Sequence, residues 1–133
     1  MAEVDREVGT GDAFRVEHVD FVSFLTQGLQ RAKAFYAGTL GLEIETEAPD
    51  DMEVRVGQVT LDIFNPASQG QPFAPTLGGL SLRVPDVAAT RSALEAKGVE
   101  FEGETLDTGV CHVAFFRDPD GNALMLHRRY APR

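Results

Sequence analysis

From Cys111 to Arg129 the chain runs as two largely apolar arms that flank Asp118, Pro119, Asp120 and Gly121. Pro119 presets the first central position of a type I turn, Asp118 can accept a backbone hydrogen bond within its own turn, and Gly121 can adopt positive φ. This pattern predicts a β-hairpin. Cys111, Val113 and Phe115 share one face of the first arm and His112, Ala114 and Phe116 the other; Ala123, Met125 and His127 alternate with Leu124, Leu126 and Arg128 in the second. Both faces are largely apolar, so both need cover: helices on one, and a partly dry cavity or a second sheet on the other.

The same periodicities order the rest of the chain. Val16 to Leu25 reads as a strand, with Phe21, Ser23 and Leu25 on one face and His18, Val22 and Phe24 on the other. Thr26 is a candidate N-cap for a helix that carries Leu29, Ala32, Phe35 or Tyr36, and Leu40, and ends at Gly41. Strands are expected at Leu42 to Glu47, Met52 to Val56 and Gln58 to Asn65. A Pro- and Gly-containing stretch without periodicity then separates two halves. Leu80 to Val84 is the next strand. Asp86 caps a helix with Val87, Thr90 and Leu94 on its apolar stripe, and Lys97 and Gly98 end it. Val99 to Glu104 and the hairpin complete the second half. The expected fold is therefore α+β: two tandem βαβββ modules, 16–65 and 79–130, joined by a linker at 66–78, with curved mixed sheets forming a half-open barrel around a cleft. Residues 14–133 make one domain, and 1–13, polar and aperiodic, are expected to be a mobile tail.

Composition narrows the partners. In 133 residues, 43% hydrophobic content is ample for one core. A formal net charge of −9 argues against nucleic acid and anionic membranes and favours cationic ligands through long-range attraction alone. No apolar stretch is long enough to span a bilayer, the first residues lack the pattern of a signal peptide, and the single cysteine, Cys111, excludes an internal disulfide; a cytoplasmic protein is expected. Cys111 itself is expected to be a small buried hydrophobe. No phosphate-binding glycine loop or nucleophile elbow is present, and the acidic run at 43–54 and the terminal RRYAPR read as solvated.

The stretch LQRAKAFYAGTLGLE, followed further along by FFRDPDGNALMLH, resembles the vicinal oxygen chelate superfamily, which includes glyoxalase I, extradiol dioxygenases and the bleomycin and fosfomycin resistance proteins. The resemblance spans about residues 16 to 130. It implies the fold more than the reaction, because this fold hosts lyases, isomerases, oxygenases and drug-binding proteins. It also implies a homodimer, in some members with halves of two chains contributing to one site. Metal-dependent members commonly carry His, Glu, His and Glu on cavity-facing strands. With the Phe35-Tyr36 pair as register, those positions fall on Phe21, Asp62, Gly79 and Met125. One hard donor in four is too few for a divalent site, so no metal cofactor is expected. An escape route combines His18, Asp62 and His127 into a two-His, one-carboxylate set.

Alternation places Phe21, Ser23, Leu25, Thr60, Asp62 and Phe64 on the cavity face of the first module. On the second it places Ser81, Arg83, Val113, Phe115, Met125 and His127. A greasy wall with isolated polar groups suits a small organic molecule, although the same side chains could instead fill a core. Asp62 stands among Leu61, Ile63 and Phe64 and must be paired, hydrated or shifted upward in pKa; Arg83 is its candidate partner. Asp62 and His127 are the candidate catalytic acid and base. The expected function is metal-independent binding of a small apolar or cationic molecule, as in bleomycin resistance proteins. The alternatives are a glyoxalase-type lyase, isomerase or dioxygenase using Asp62 and His127 or a non-standard metal set, and an interaction domain with a filled cleft.

Overall fold

A computed structural model describes residues 13–133, so most of the expected tail lies outside the described residues. The first module runs β1 (Phe21–Leu25), α1 (Leu29–Lys33), β2 (Glu43–Glu47), β3 (Asp51–Val56) and β4 (Val59–Phe64). A 3-10 turn at Pro66–Gln69 opens the linker, and the second module follows as β5 (Leu80–Arg83), α2 (Val87–Ala96), β6 (Phe101–Asp107), β7 (Cys111–Arg117) and β8 (Ala123–Arg129). The two sheets repeat one topology, β1-β4-β3-β2 and β5-β8-β7-β6, with the outer pairs β1/β4 and β5/β8 parallel and the rest antiparallel. This is the expected tandem. The sheets are not closed into a barrel.

One face of each sheet is sealed. Phe24, Met52, Val54, Leu61 and Ile63 from the first sheet and Ala114, Phe116, Leu124 and Leu126 from the second join Ala32, Tyr36, Val87 and Leu94 of the helical segments in one continuous core. Aromatic contacts cross the module boundary, with the Phe35 and Phe116 ring centroids 6.4 Å apart. The opposite face of each sheet, which carries the alternate residues, is open. Ser23, Ser81 and Arg83 are exposed on it.

Three local expectations are corrected. The first strand starts at Phe21 instead of Val16, because its only ladder partner, β4, pairs Phe21 with Thr60 and Leu25 with Phe64 and offers no partners for residues further back. The helix begins after Gly28 and not at Thr26; the Thr26 hydroxyl accepts from Gly28 N–H at 3.1 Å ahead of the helix and donates to the Asp120 carboxylate of the hairpin turn. Beyond Lys33 the helix widens into a π-helical turn, Ala34–Thr39, in which Leu40 N–H reaches back five residues to Phe35 O at 2.9 Å. Gly41 follows at φ 72°, as its position foretold. Strand β6 starts two residues later than expected because Val99 N–H closes the end of α2 on Leu94 O, with Gly98 at φ 94°. The Asp86 cap is present, its carboxylate accepting from Ala89 N–H at 2.9 Å.

Candidate small-molecule site

The hairpin turn fastens the two modules, and so sets where their open faces lie. Asp118 is 6% exposed and accepts from Asp120 N–H, Asn122 N–H, the Asn122 side-chain amide and the Tyr36 hydroxyl at 2.7–2.9 Å. Burial first, and then the Asp118 charge, push the Tyr36 hydroxyl far above its ordinary pKa, so it remains a donor at any physiological pH. Asn122, fully buried, donates to Leu25 O at 2.8 Å and accepts from Thr76 N–H at 2.7 Å, tying β1, the linker and β8 together. Asp120 takes Gln27 N–H at 2.9 Å and Arg31 at 2.6 Å. The turn motif read from sequence is thus also a cross-module buckle.

On the open face of the first module, register sets Ser23 beside Asp62 and Asp62 beside Glu53, with Phe21 next to Thr60 and Leu25 next to Phe64. One Asp62 carboxylate oxygen is enclosed without a hydrogen-bond donor. Burial, then a proton shared with the Asp51 carboxyl, then the negative charges of Asp51 and Glu53 push the Asp62 pKa up to about 7. The expected Arg83 pairing is therefore corrected. Asp62 meets other carboxyls, because Arg83 belongs to the second sheet. The Thr60 hydroxyl is held by Glu45 at 3.1 Å, and the same Glu45 accepts from Arg55.

On the second module's open face, Ser81 pairs with Met125 and Arg83 with His127; across the hairpin Phe115 pairs with Met125 and Val113 with His127. All six expected residues of that module therefore form one contiguous patch. A cavity of about 290 Å³ opens at its end, lined by Arg83, His127, Arg129, Ala131 and Arg133. A second, apolar cavity of about 280 Å³ lies between the modules against Val22, Val59, Leu61, Leu80 and Leu82, and touches Ser81 and Arg83. A larger groove, about 530 Å³, runs past Phe35, Lys97, Phe101 and Arg117 and holds none of the expected site residues. None of these cavities contains Asp62, and none brings it together with His127.

Reasoning from sequence missed Asp51, Glu53 and Arg129. The first two sat in a run read as solvated, although alternation with Met52 and Val54 puts them on the Asp62 face. Arg129 was read as tail but is the last residue of β8 and only partly exposed; carrying the alternation of Met125 and His127 one step further would have found it. Cys111 is half-buried instead of buried. His112 points away from the site, as expected, and lies 3.5 Å from Asp107 and against the Tyr130 ring.

The positions that the sequence resemblance pairs with a metal site carry one oxygen donor among them, Asp62. Phe21 and Asp62 are near neighbours on the first sheet, and Gly79 and Met125 on the second. A Cβ built on Gly79 would lie 3.0 Å from the Met125 methyl, so a thioether side chain fills the space beside that position. His18 lies outside β1, exposed and 3.5 Å from Asp20. The His18, Asp62, His127 set is not assembled: among the described residues no group of three His, Cys, Asp or Glu side chains could hold a metal ion.

Two βαβββ modules fastened by a DPDGN hairpin, each with an open sheet face, define a class of small α+β proteins. Comparison names it. The family model of the Glyoxalase/Bleomycin resistance protein/Dioxygenase superfamily matches residues 15–126, and the chain belongs to that superfamily. Among similar solved structures is TnmS3, an antibiotic binding protein from Streptomyces sp. CB03234, at 27% identity and TM-score 0.74, covering 88% of this chain and 99% of that one. A glyoxalase/bleomycin resistance protein from the same Streptomyces strain is 27% identical, with TM-score 0.68 and coverage of 82% and 98%. Lactoylglutathione lyase from Agrobacterium tumefaciens, at 20% identity and TM-score 0.73 over 85% of this chain and 94% of that one, shares the fold. Among the described residues no helix is long and apolar enough to cross a membrane.

Proposed function

We propose that this chain is a cytosolic homodimer that binds or sequesters a small organic molecule without a metal. The observation that carries this reading is the content of the four ligand-equivalent positions, Phe21, Asp62, Gly79 and Met125, with the Met125 methyl beside Gly79. Three of the four positions carry an aromatic ring, a glycine or a thioether and only Asp62 offers an oxygen donor, which suits dispersion contact with a ligand better than coordination. The likeness to an antibiotic binding protein supports the same reading. Phe21, Phe64, Val113, Phe115 and Met125 would supply the apolar wall, with Ser23, Thr60 and Ser81 as orienting groups. Support for the dimer comes from Phe14, Val16, Val19 and Phe21, four large apolar side chains within eight residues that are all more than half exposed in the single chain.

The test is elemental analysis and native mass spectrometry on the same purified sample. The expected result is no stoichiometric transition metal, no rise in Tm on adding Fe²⁺, Mn²⁺, Ni²⁺ or Zn²⁺, and a mass increment from a retained organic molecule. Stoichiometric metal would overturn the reading.

A second reading has one observation in its favour. Asp62, with its pKa near 7, has the basicity of a general base working at neutral pH. With His127 as the acid it would support glyoxalase-type proton transfer, provided that the open faces of two copies meet. Asp62→Asn separates the two readings: binding persists and turnover is lost if Asp62 is a base.

A further inference from the structure

We propose that the open face of the second module binds an organic anion, with Arg83, His127 and Arg129 holding a carboxylate or phosphate head and Met125 taking the apolar body. This rests on the small-molecule reading above and narrows the ligand, reversing on this face the cation preference that the acidic composition suggests.

Three observations carry it. First, register stacks the groups: Arg83 faces His127 across β5 and β8, and Arg129 lies one alternation further along β8 on the same face, so that with Arg133 four nitrogen-bearing side chains line one cavity of about 290 Å³. Second, Arg83 and Arg129 lack acidic partners among the described residues. Arg31, Arg55, Arg91 and Arg117 each lie within 3.2 Å of a carboxylate, as the excess of acids in the chain makes easy. Among the described residues no carboxylate lies within 4.0 Å of Arg83 or Arg129, and no Asp or Glu lines the cavity. Third, the Arg129 guanidinium is only partly satisfied among the described residues. Its Nε is enclosed with no acceptor, and an outer nitrogen meets only the Pro132 carbonyl at 3.2 Å.

A guanidinium keeps its charge throughout the accessible pH range, so its enclosed N–H has no neutral state to retreat to. An anion entering the cavity supplies the missing acceptor, and the planar fork matches a carboxylate or phosphate edge. A cationic head would meet three guanidinium groups with no Asp or Glu lining the cavity. Directly along the face, Ser81 and Met125 form the next cross-strand pair and Phe115 faces Met125, so the body of such a molecule lies on thioether and aromatic surface.

The experiment uses the full chain with labelled methionine methyls and three probes that share one ring: benzoate, phenylphosphate and benzylamine, each titrated at constant ionic strength. At least one of the two anions is expected to shift the Met125 methyl resonance saturably, and benzylamine to leave it in place. Whichever anion binds more tightly identifies the head group. Arg83 is exposed, so Arg83→Gln should fold normally and weaken anion binding tenfold or more; Arg129→Gln should do the same, and Arg83→Lys should recover part of the loss. A Met125 response to benzylamine equal to that for the anions would overturn the anion assignment while leaving the small-molecule reading intact. No response to either anion would also overturn it, and the retained-molecule mass measurement then decides the binding reading separately.

Discussion

Asp62 is a carboxyl group whose neighbours are other carboxyls, and that makes its energetics depend on pH in a definite sense. Its pKa is raised in the folded chain to about 7, by burial and by Asp51 and Glu53. Below about pH 4 it is protonated both folded and unfolded; between about 4 and 7 the folded chain keeps a proton that the unfolded chain releases, so stability falls as pH rises through that window. Asp62→Asn removes the charge and can still donate to Asp51. The variant is expected to match the wild type near pH 4 and to exceed it at pH 8 by on the order of 1 kcal/mol, a figure reduced for the partial solvent exposure of the group. Urea unfolding at the two pH values measures it, and an identical difference at both would show that Asp62 is not the titrating group. Alternation alone picked out Asp62 as a carboxylate on an apolar strand. It could not supply the company, because cross-strand neighbours follow from register, and Asp51 and Glu53 become neighbours of Asp62 only once β3 and β4 are paired.

At the scale of elements, the buckle explains how two sheets with no shared ladder hold one arrangement. Asp118 serves four donors from three residues, so Asp118→Ala strands a buried hydroxyl, an amide and two backbone N–H groups at once. A loss of more than about 3 kcal/mol is expected, against about 1–2 kcal/mol for Tyr36→Phe, which removes one donor and leaves the carboxylate three others. Equilibrium denaturation of both variants checks the ordering; an Asp118→Ala protein within 1 kcal/mol of the wild type would mean that the core alone sets the arrangement. The turn was legible in sequence because Pro119, Gly121 and the flanking alternation are local signals. The buckle was not, since Tyr36 and Asp118 are far apart in the chain and meet only through the fold. For the same reason Thr26 was read as a helix cap: a threonine before a helical pattern carries the same letters whether its hydroxyl caps the helix or reaches a distant carboxylate.

The whole molecule presents two open faces of opposite character, one bearing Asp51, Glu53 and Asp62, the other Arg83, His127 and Arg129. Neither is covered by the described residues of a single chain, and the exposed apolar run Phe14, Val16, Val19 and Phe21 ends on the sheet that bears the acidic one. Two copies that pack these apolar runs together would cover them and leave the cavity of Arg83, His127 and Arg129 open to an anion. The expected solution species is therefore a homodimer of twice 14.5 kDa. Phe21 is 52% exposed in the single chain, so Phe21→Asp should leave the intrinsic stability of each chain nearly unchanged. In the dimer the same substitution buries an unpaired carboxylate beside other acids, which should cost about 3 kcal/mol, roughly a hundredfold in Kd. Sedimentation or light scattering across a dilution series is the measurement. A wild type that stays monomeric at high concentration, or a Phe21→Asp variant that dimerises as tightly as the wild type, would mean that the apolar runs do not pair and that each chain holds its ligand on its own.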